Sequence, residues 1–268
     1  MSKVVLITGG SSGIGKAIGE YLSEKGYTVY GTSRNPDRFK NDFPFNLVAL
    51  DVTNTESIKN CILDVIALEG KIDVLINNAG VGITGPMEET PTIEIKKAFN
   101  TNLFGPIEMI NATLPHMRKQ KNGHIINITS IAGYMGLPYR GVYSATKGAL
   151  ELITEAYRME VKQFGIQMAN VAPGDFATNI AAGRYHAPVL EQSAYRQAYG
   201  DTLKMMDAHV DGGNDPNEMA KAVLSIIETT KPRVHYRVGA FVQKLSIGLK
   251  KVLPSKTYEK MLMKHYKL

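Results

Sequence analysis

The chain has 268 residues, 44% hydrophobic and 21% charged, enough apolar content for a sizeable buried core and no sign of a disordered or fibrous composition. The net charge of +6 sits in one place: residues 241–268 hold seven Lys against Glu259, while the rest balances 24 basic and 24 acidic side chains, so the body implies no nucleic-acid face. Cys61 is the single cysteine and the six histidines show no ligand spacing, so neither a disulfide nor a metal site is expected.

The apolar run Val4 to Ile7 is too short for a secretory core or a membrane span, so a cytoplasmic protein is expected. Val4–Thr8 has the continuous apolar character of a strand covered on both faces. A glycine-rich turn, Gly9–Gly15, leads into a helix to about Lys25, with Gly26 as its left-handed stop. Strands are expected at Thr28–Thr32, Leu47–Leu50 and Val74–Ile76, with a helix from Asn54 to Leu68 between the last two. Thr90-Pro91 has the pattern of an N-cap followed by Pro at the first helical position, opening a long helix through Met117 that bends at Gly105-Pro106. A strand at His124–Ile128, a helix from Tyr139 to Phe164 and a strand at Ile166–Val171 continue the alternation. Asp215-Pro216-Asn217-Glu218 resembles a capping box for a helix to about Thr229, and Val234–Val238 reads as an edge strand. Asp175–Gly213 shows no strand pattern and is expected to form one or two short helices over a ligand pocket. Such alternation predicts one α/β domain, a doubly wound parallel sheet of about seven strands with helices on both faces.

The glycines at 9, 13 and 15 let the backbone turn tightly and approach a pyrophosphate, whose charge suits a helix N-terminus; Ser11, Ser12 and Ile14 share that turn. The spacing is G-x-x-x-G-x-G and not the commoner G-x-G-x-x-G. At the end of the second strand, where an acid would bind a ribose 2′-hydroxyl, the chain has Ser33-Arg34, which suits a 2′-phosphate. NADP(H) is therefore the expected cofactor, with NAD(H) as the second option. Asp51 and Val52 follow the third strand at the expected adenine edge, and Asn77-Asn78-Ala79-Gly80 follow the fourth, where amides can tie strands together and Gly80 admits a cofactor.

Tyr143 and Lys147 lie one helical turn apart, an arrangement in which the cation makes the phenol a better base. Tyr21 and Lys25 have the same spacing and are expected to be an ordinary surface pair, so position is what distinguishes the second pair. Ser130 ends the fifth strand thirteen residues before Tyr143, at the sheet edge where such folds bind ligands.

With TGGSSGIG at 8–15, NNAG at 77–80, NTNLFG at 100–105, ITSIAG at 128–133, YSATK at 143–147 and PG at 173–174, the chain resembles the short-chain dehydrogenase/reductase family over nearly its whole length. The stretches VYGTSRNPDRF at 29–39 and GLPYRGVYSATK at 136–147, with the basic C-terminus, look most like its NADP(H)-preferring branch of 17β-hydroxysteroid and retinol dehydrogenases. The resemblance implies a single Rossmann-type domain and an oxidoreductase passing a hydride between NADP(H) and a hydrophobic alcohol, ketone or aldehyde. It also implies a tetrad of Asn102, Ser130, Tyr143 and Lys147. Ser130 would hydrogen-bond the substrate oxygen, Tyr143 would be the general acid or base, and Lys147 would bind the nicotinamide ribose and lower the Tyr143 pKa. Asn102 would hold a relay water, and Pro173, Gly174 and Thr178 would meet the nicotinamide carboxamide. A homodimer or homotetramer through the helices of Asn102 and Tyr143 is the family's expectation. A cofactor-sensing binding protein without turnover is the rival reading, and the presence of both Tyr143 and Lys147 weighs against it.

The expected organisation is a catalytic domain over 1–240, with a substrate lid near 175–213, and a basic amphipathic extension over 241–268. Val81, Ile83, Met135, Leu137, Phe176, Tyr185, Met205 and Met206 are the candidate walls of an apolar substrate pocket. In the extension, Val242, Leu245, Leu249, Val252 and Leu253 keep near-helical spacing among lysines, and Pro254 separates them from Tyr258, Leu262 and Tyr266. That pattern fits docking on a protein surface or on an anionic membrane.

Overall fold

The computed structural model describes residues 2–39, 41–176, 183–211 and 214–268. β1 (Val4–Ile7), α1 (Gly13–Glu24), β2 (Thr28–Ser33), β3 (Asn46–Ala49), α2 (Thr55–Glu69) and β4 (Val74–Asn77) follow the predicted alternation. Next come β5 (Ile83–Thr84), α3 (Thr92–Phe99), α4 (Gly105–Gln120), β6 (Gly123–Ile128), α5 (Gly141–Val161) and β7 (Ile166–Pro173). The chain continues through β8 (Tyr185–His186), α6 (Arg196–Asp211), α7 (Asn217–Glu228), β9 (His235–Val238), α8 (Phe241–Val252) and α9 (Ser255–Tyr266). Seven strands form one parallel sheet in the order β3-β2-β1-β4-β6-β7-β9.

Alternation within each strand divides the core in two. Val4, Leu6, Leu75, Ile125 and Met168 face one side, where Ile58, Ile62 and Val65 of α2, Met109, Ile110 and Leu114 of α4 and Val161 of α5 cover them. Val5, Ile7, Val74, Ile76, Ile126 and Val171 face the other, under Ile18 and Leu22 of α1 and Met219, Val223 and Ile226 of α7. Two covered faces explain why the central strands carry apolar residues at every position.

Four local expectations are corrected. Thr90 does not cap α3: its hydroxyl donates to the Pro86 carbonyl at 2.7 Å, and Pro91 occupies the cap position without a side-chain bond. The long helix to Met117 is two helices joined by a π turn, Asn100–Phe104, because Pro106 has no N–H for the Asn102 carbonyl four residues back. Asp175–Gly213 does contain a strand: Tyr185–His186 pairs with Ile83–Thr84, and α6 runs sixteen residues. A two-residue strand whose partner lies about a hundred positions away leaves no periodicity to read. At α7, the Asp215 carboxylate accepts the Asn217 N–H at 2.9 Å, one position off the expected box.

α8 and α9 form a helical pair packed on the body. Ile247 and Tyr258 bury against Ile131, Met135 and Ala172, and the Tyr258 hydroxyl donates to the Met135 sulfur at 2.8 Å. Among the described residues no helix is long and apolar enough to cross a membrane.

Cys61, on the buried side of α2, is 1% exposed, and burial, with Asp64 adding to it, pushes its thiol up to about 12. It is expected to resist a maleimide in the folded protein and to react once the chain is unfolded. Labelling of the native protein at the rate of a free thiol would show that α2 does not seal this face.

Candidate active site

β1 lies between β2 and β4, so the chain runs outward on one side of β1 and returns on the other; the crevice between their carboxyl ends is where open α/β sheets take ligands. The Gly9–Gly15 turn occupies it. Gly9 and Gly13 have φ of +67° and +53°, and a Cβ on Gly15 would lie 2.3 Å from the Gly9 carbonyl, so these positions require glycine. Thr8 is the pin: its hydroxyl accepts the N–H groups of Asn78 and Ala79 at 3.0 and 2.9 Å, while Asn78 Nδ2 donates back to the Thr8 and Gly9 carbonyls. Thr32 adds a second clamp by accepting the Gly9 N–H at 3.1 Å. Ser11 and Ser12 lie in the turn, and Ser12 precedes α1 without a side-chain cap, leaving the first N–H groups at Gly13, Ile14 and Gly15 for an anion.

At the neighbouring strand ends, Ser33 Oγ accepts the Asn35 N–H at 3.2 Å and Arg34 is exposed. Asp51 accepts both the N–H and the hydroxyl of Thr53; these bonds, with Arg34 nearby, hold its carboxyl below the usual range. Asp51 is thus partly occupied by its own turn, and Val52 packs against Gly105 at the start of α4.

Ser130 follows β6 and caps a short 3₁₀ turn, Ile131–Tyr134; its Oγ accepts the Ala132 N–H at 3.1 Å, which leaves its own proton to donate outward. Tyr143 and Lys147 project from α5 and are 8% and 5% exposed. Lys147 Nζ donates to the Ile128 carbonyl at 2.9 Å; burial pulls its pKa down, and electrostatic attraction to Tyr143 and Glu151 works against that shift. Gly80 passes so close that a Cβ there would come within 3.4 Å of Lys147 Nζ and 3.2 Å of Asn102 Oδ1. Asn102 is fully buried: Oδ1 accepts the Val81 N–H at 2.8 Å, and Nδ2 donates to the Val81 carbonyl and to Thr146 Oγ1. The Tyr21–Lys25 pair behaves as the expected contrast, with an exposed ammonium 5.4 Å from its ring.

Behind these residues runs a row of polar side chains at one register across four strands: Asn77, Asn127, Asn170 and His235. Asn77 donates to Asn127 at 2.9 Å, Asn127 donates to Thr154 of α5 at 2.8 Å, and Asn170 donates to Glu151 at 3.1 Å. Glu151, 5% exposed and one turn beyond Lys147, also accepts from Thr129 and Tyr134 and meets His235 Nδ1 at 2.6 Å. His235 Nε2 faces Glu155 at 3.0 Å. The Tyr134 phenol is held well above its ordinary range by burial and by Glu151.

Ser130 and Tyr143 open into one cleft with Ile14 of the glycine turn, Pro173 and Gly174. The cleft, solvent at its mouth included, measures about 600 Å³. Thr178 lies outside the described residues. The expected apolar walls are only partly there. Ile83 and Phe176 line the cleft, whereas Val81, Leu137 and Tyr185 pack with Tyr143 and Met135 turns towards α8 and α9. Met205 and Met206, on α6, are not among its lining residues. Arg140, Asp175 and Arg184 complete the wall instead, and the apolar count could not reveal them. Arg140 stacks its guanidinium over the Tyr143 ring at 5.3 Å. Asp175 accepts Gln243 Nε2 of α8 at 2.7 Å. Burial raises the Tyr266 phenol of α9, and the Arg140 guanidinium hydrogen-bonded to it works the other way. Sequence reading missed Thr8, Glu151 and His235 as well; only Thr8 carried a signal, its place in the glycine-turn motif.

The family model described as short chain dehydrogenase matches residues 3–188. The chain is 40% identical over 253 residues to a 3-ketodihydrosphingosine reductase of Bacteroides thetaiotaomicron, covering 94% of this chain and 93% of that one. It is 30% identical over 251 residues to retinol dehydrogenase 8 of Homo sapiens, covering 86% and 79%. A short-chain dehydrogenase from Streptomyces avermitilis has a crystal structure similar to this one at a TM-score of 0.80, with 33% identity over 93% of this chain and 97% of that chain.

Removing the Glu151 carboxylate leaves several buried donors without an acceptor, so Glu151→Ala is expected to cost about 3 kcal/mol and lower the melting temperature by several degrees. Glu151→Gln, which keeps an acceptor for Thr129, should recover part of that loss in the same calorimetric measurement. An unchanged melting temperature in Glu151→Ala would mean that the row contributes nothing to stability.

Proposed function

Because this chain belongs to the short-chain dehydrogenase/reductase family, and so is an NAD(P)-dependent oxidoreductase of alcohol and carbonyl groups, we propose that it interconverts a long-chain ketone and its alcohol with NADP(H) preferred over NAD(H). The observation that carries this reading is the single cleft in which Ser130 and Tyr143 meet Ile14 of the glycine turn and Pro173-Gly174. The dinucleotide supplies the hydride when bound. Gly13, Ile14 and Gly15 offer N–H groups to its pyrophosphate, Asn78, Ala79 and Gly80 border its path, and Pro173 and Gly174 flank its carboxamide.

In the reducing direction Ser130 donates its free proton to the substrate oxygen and holds it against Tyr143. The phenol then delivers its proton to that oxygen as negative charge develops, and takes it back in oxidation. Lys147, anchored on the Ile128 carbonyl, keeps further protons for ribose hydroxyls and places a cation beside the phenolate when it forms. The Asn102 side chain is spent on Val81 and Thr146, so a relay water belongs to its main-chain carbonyl, in the register where Pro106 cannot donate.

The preference for NADP(H) is supported by Ser33 and exposed Arg34 at the end of β2, where no carboxylate opposes a 2′-phosphate. Walls of Ile83 and Phe176 beside Arg140, Asp175 and Arg184 suit a substrate with an apolar chain and a polar group near its carbonyl. The name of the Bacteroides relative makes 3-ketodihydrosphingosine the first compound to try, since its ammonium suits Asp175 and its chain suits the apolar wall. Residues 1–240 would be the catalytic domain, with the segment near 175–213 as a lid. The exposed Leu152 and Met159 of α5, and Phe104 just ahead of α4, support a homodimer or homotetramer through those helices. On this reading the protein is cytoplasmic, and its C-terminal helices meet a membrane surface.

Tyr143→Phe is expected to cut turnover by about 10³-fold while NADPH binding, followed by cofactor fluorescence, stays within about twofold of the parent. Full turnover in that variant would remove Tyr143 from proton transfer. Arg34→Asp is expected to shift the kcat/KM ratio of NADPH to NADH by at least about tenfold towards NADH. An unmoved ratio would mean that Arg34 does not meet the 2′-phosphate.

A further inference from the structure

α8 buries one side and presents another. Ile247 is 1% exposed against Ile131, Met135 and Ala172, whereas Phe241, Leu245 and Val252, at i, i+4 and i+11, are 74%, 44% and 82% exposed. Val242 widens that stripe at 74%. On α9, Tyr258, Leu262 and Tyr266 turn inward, and Lys256, Lys260 and Lys264 recur at the spacing of the opposite face. The pair therefore carries an apolar stripe on one helix and a lysine stripe on the next, within the segment that holds the whole net charge of +6.

We infer that this outward face docks on an anionic phospholipid bilayer, with Phe241, Leu245 and Val252 entering the headgroup boundary and the α9 lysines meeting lipid phosphates. The inference rests on the membrane contact in the proposed function and names its surface and lipid class. Charge selects the occupant. A symmetric contact with a second copy would bring two lysine-rich segments together, whereas an acidic lipid surface neutralises them. Helix length sets the mode: twelve residues reach about 18 Å, short of the hydrocarbon core, so α8 lies in the interface and does not cross it. The same helices reach the substrate cleft, since Gln243 holds Asp175 and Tyr266 contacts Arg140. Docking this face sets the cleft's C-terminal wall beside the lipid, the source of a long-chain substrate.

The test is sedimentation of the full chain with sucrose-loaded vesicles, of phosphatidylcholine alone or with about one-third phosphatidylglycerol, at low and at about 0.5 M salt. The parent should partition to the anionic vesicles at least about tenfold more than to the neutral ones, and salt should weaken it. Phe241→Ser/Leu245→Ser/Val252→Ser and, separately, Lys256→Glu/Lys260→Glu/Lys264→Glu should each lose that partition by about tenfold with parental melting temperatures. Both should reduce a water-soluble ketone at the parental rate. No pelleting of the parent, equal pelleting with both vesicle types, or unchanged pelleting of either variant would overturn the inference. So would a parental dimer that the serine variant dissociates, since the stripe would then be an interface between copies. Absent turnover with intact vesicle binding would count against the proposed reaction and leave the docking face standing.

Discussion

The row of polar side chains Asn77, Asn127, Asn170 and His235, tied to α5 through Thr154 and Glu151, is the constraint on which the rest of the site depends. Parallel pairing sets these four residues at one register, and all four point to the α5 face of the sheet. Buried amides are costly without partners, so α5 must supply them, and it does so through Thr154 and Glu151. The helix then has one azimuth and one height at which the amide donors of the row are satisfied, while Asn77 Oδ1 and Asn170 Oδ1 have no partner among the described residues. Lys147 lies one turn from Glu151, and Tyr143 one turn further. Glu151 also grips Thr129 and Tyr134, the two ends of the segment that carries Ser130. A polar network in the core thus sets the distance between the serine on a loop and the tyrosine on a helix.

The cofactor crevice uses a second, smaller version of the same device. Thr8, at the end of β1, accepts two main-chain N–H groups from the loop after β4, and Asn78 returns two bonds to the glycine turn. The two loops are one unit across the switch point. A cofactor laid along them meets a surface that need not reorganise. Asn102 extends the unit by holding Val81, so the loop after β4 is tied at both ends, and the π turn that carries Asn102 exists because Pro106 breaks the helical ladder.

Much of this was legible in the chain. Continuous apolar runs located the strands, helical spacing located α2 and the C-terminal pair, and a glycine stop and a capping pattern marked α1 and α7. The glycine turn, Ser130 and the Tyr143–Lys147 pair stood out by residue type and order. Less legible was anything whose partner is remote in sequence. The β5–β8 pair joins residues about a hundred positions apart and has no pattern of its own. Arg140, Asp175 and Arg184 look like ordinary surface charges until the fold gathers them at one mouth. Glu151 and His235, eighty-four residues apart, look like a solvated helix acid and an edge-strand histidine.

What the amino-acid order determined by itself is the alternation of strands and helices, the turn that only glycine can make, and the acid–base residue types in family order. These depend on local geometry: continuous apolar runs, 3.6-residue periods, positive φ, and the chemistry of single side chains. Tertiary structure alone decided how α5 sits on the sheet, that the substrate cleft has charged walls, and that α8 and α9 fold back to close one side of it. Each of those depends on contacts between distant segments, and a one-dimensional pattern does not record which buried polar group will find which partner.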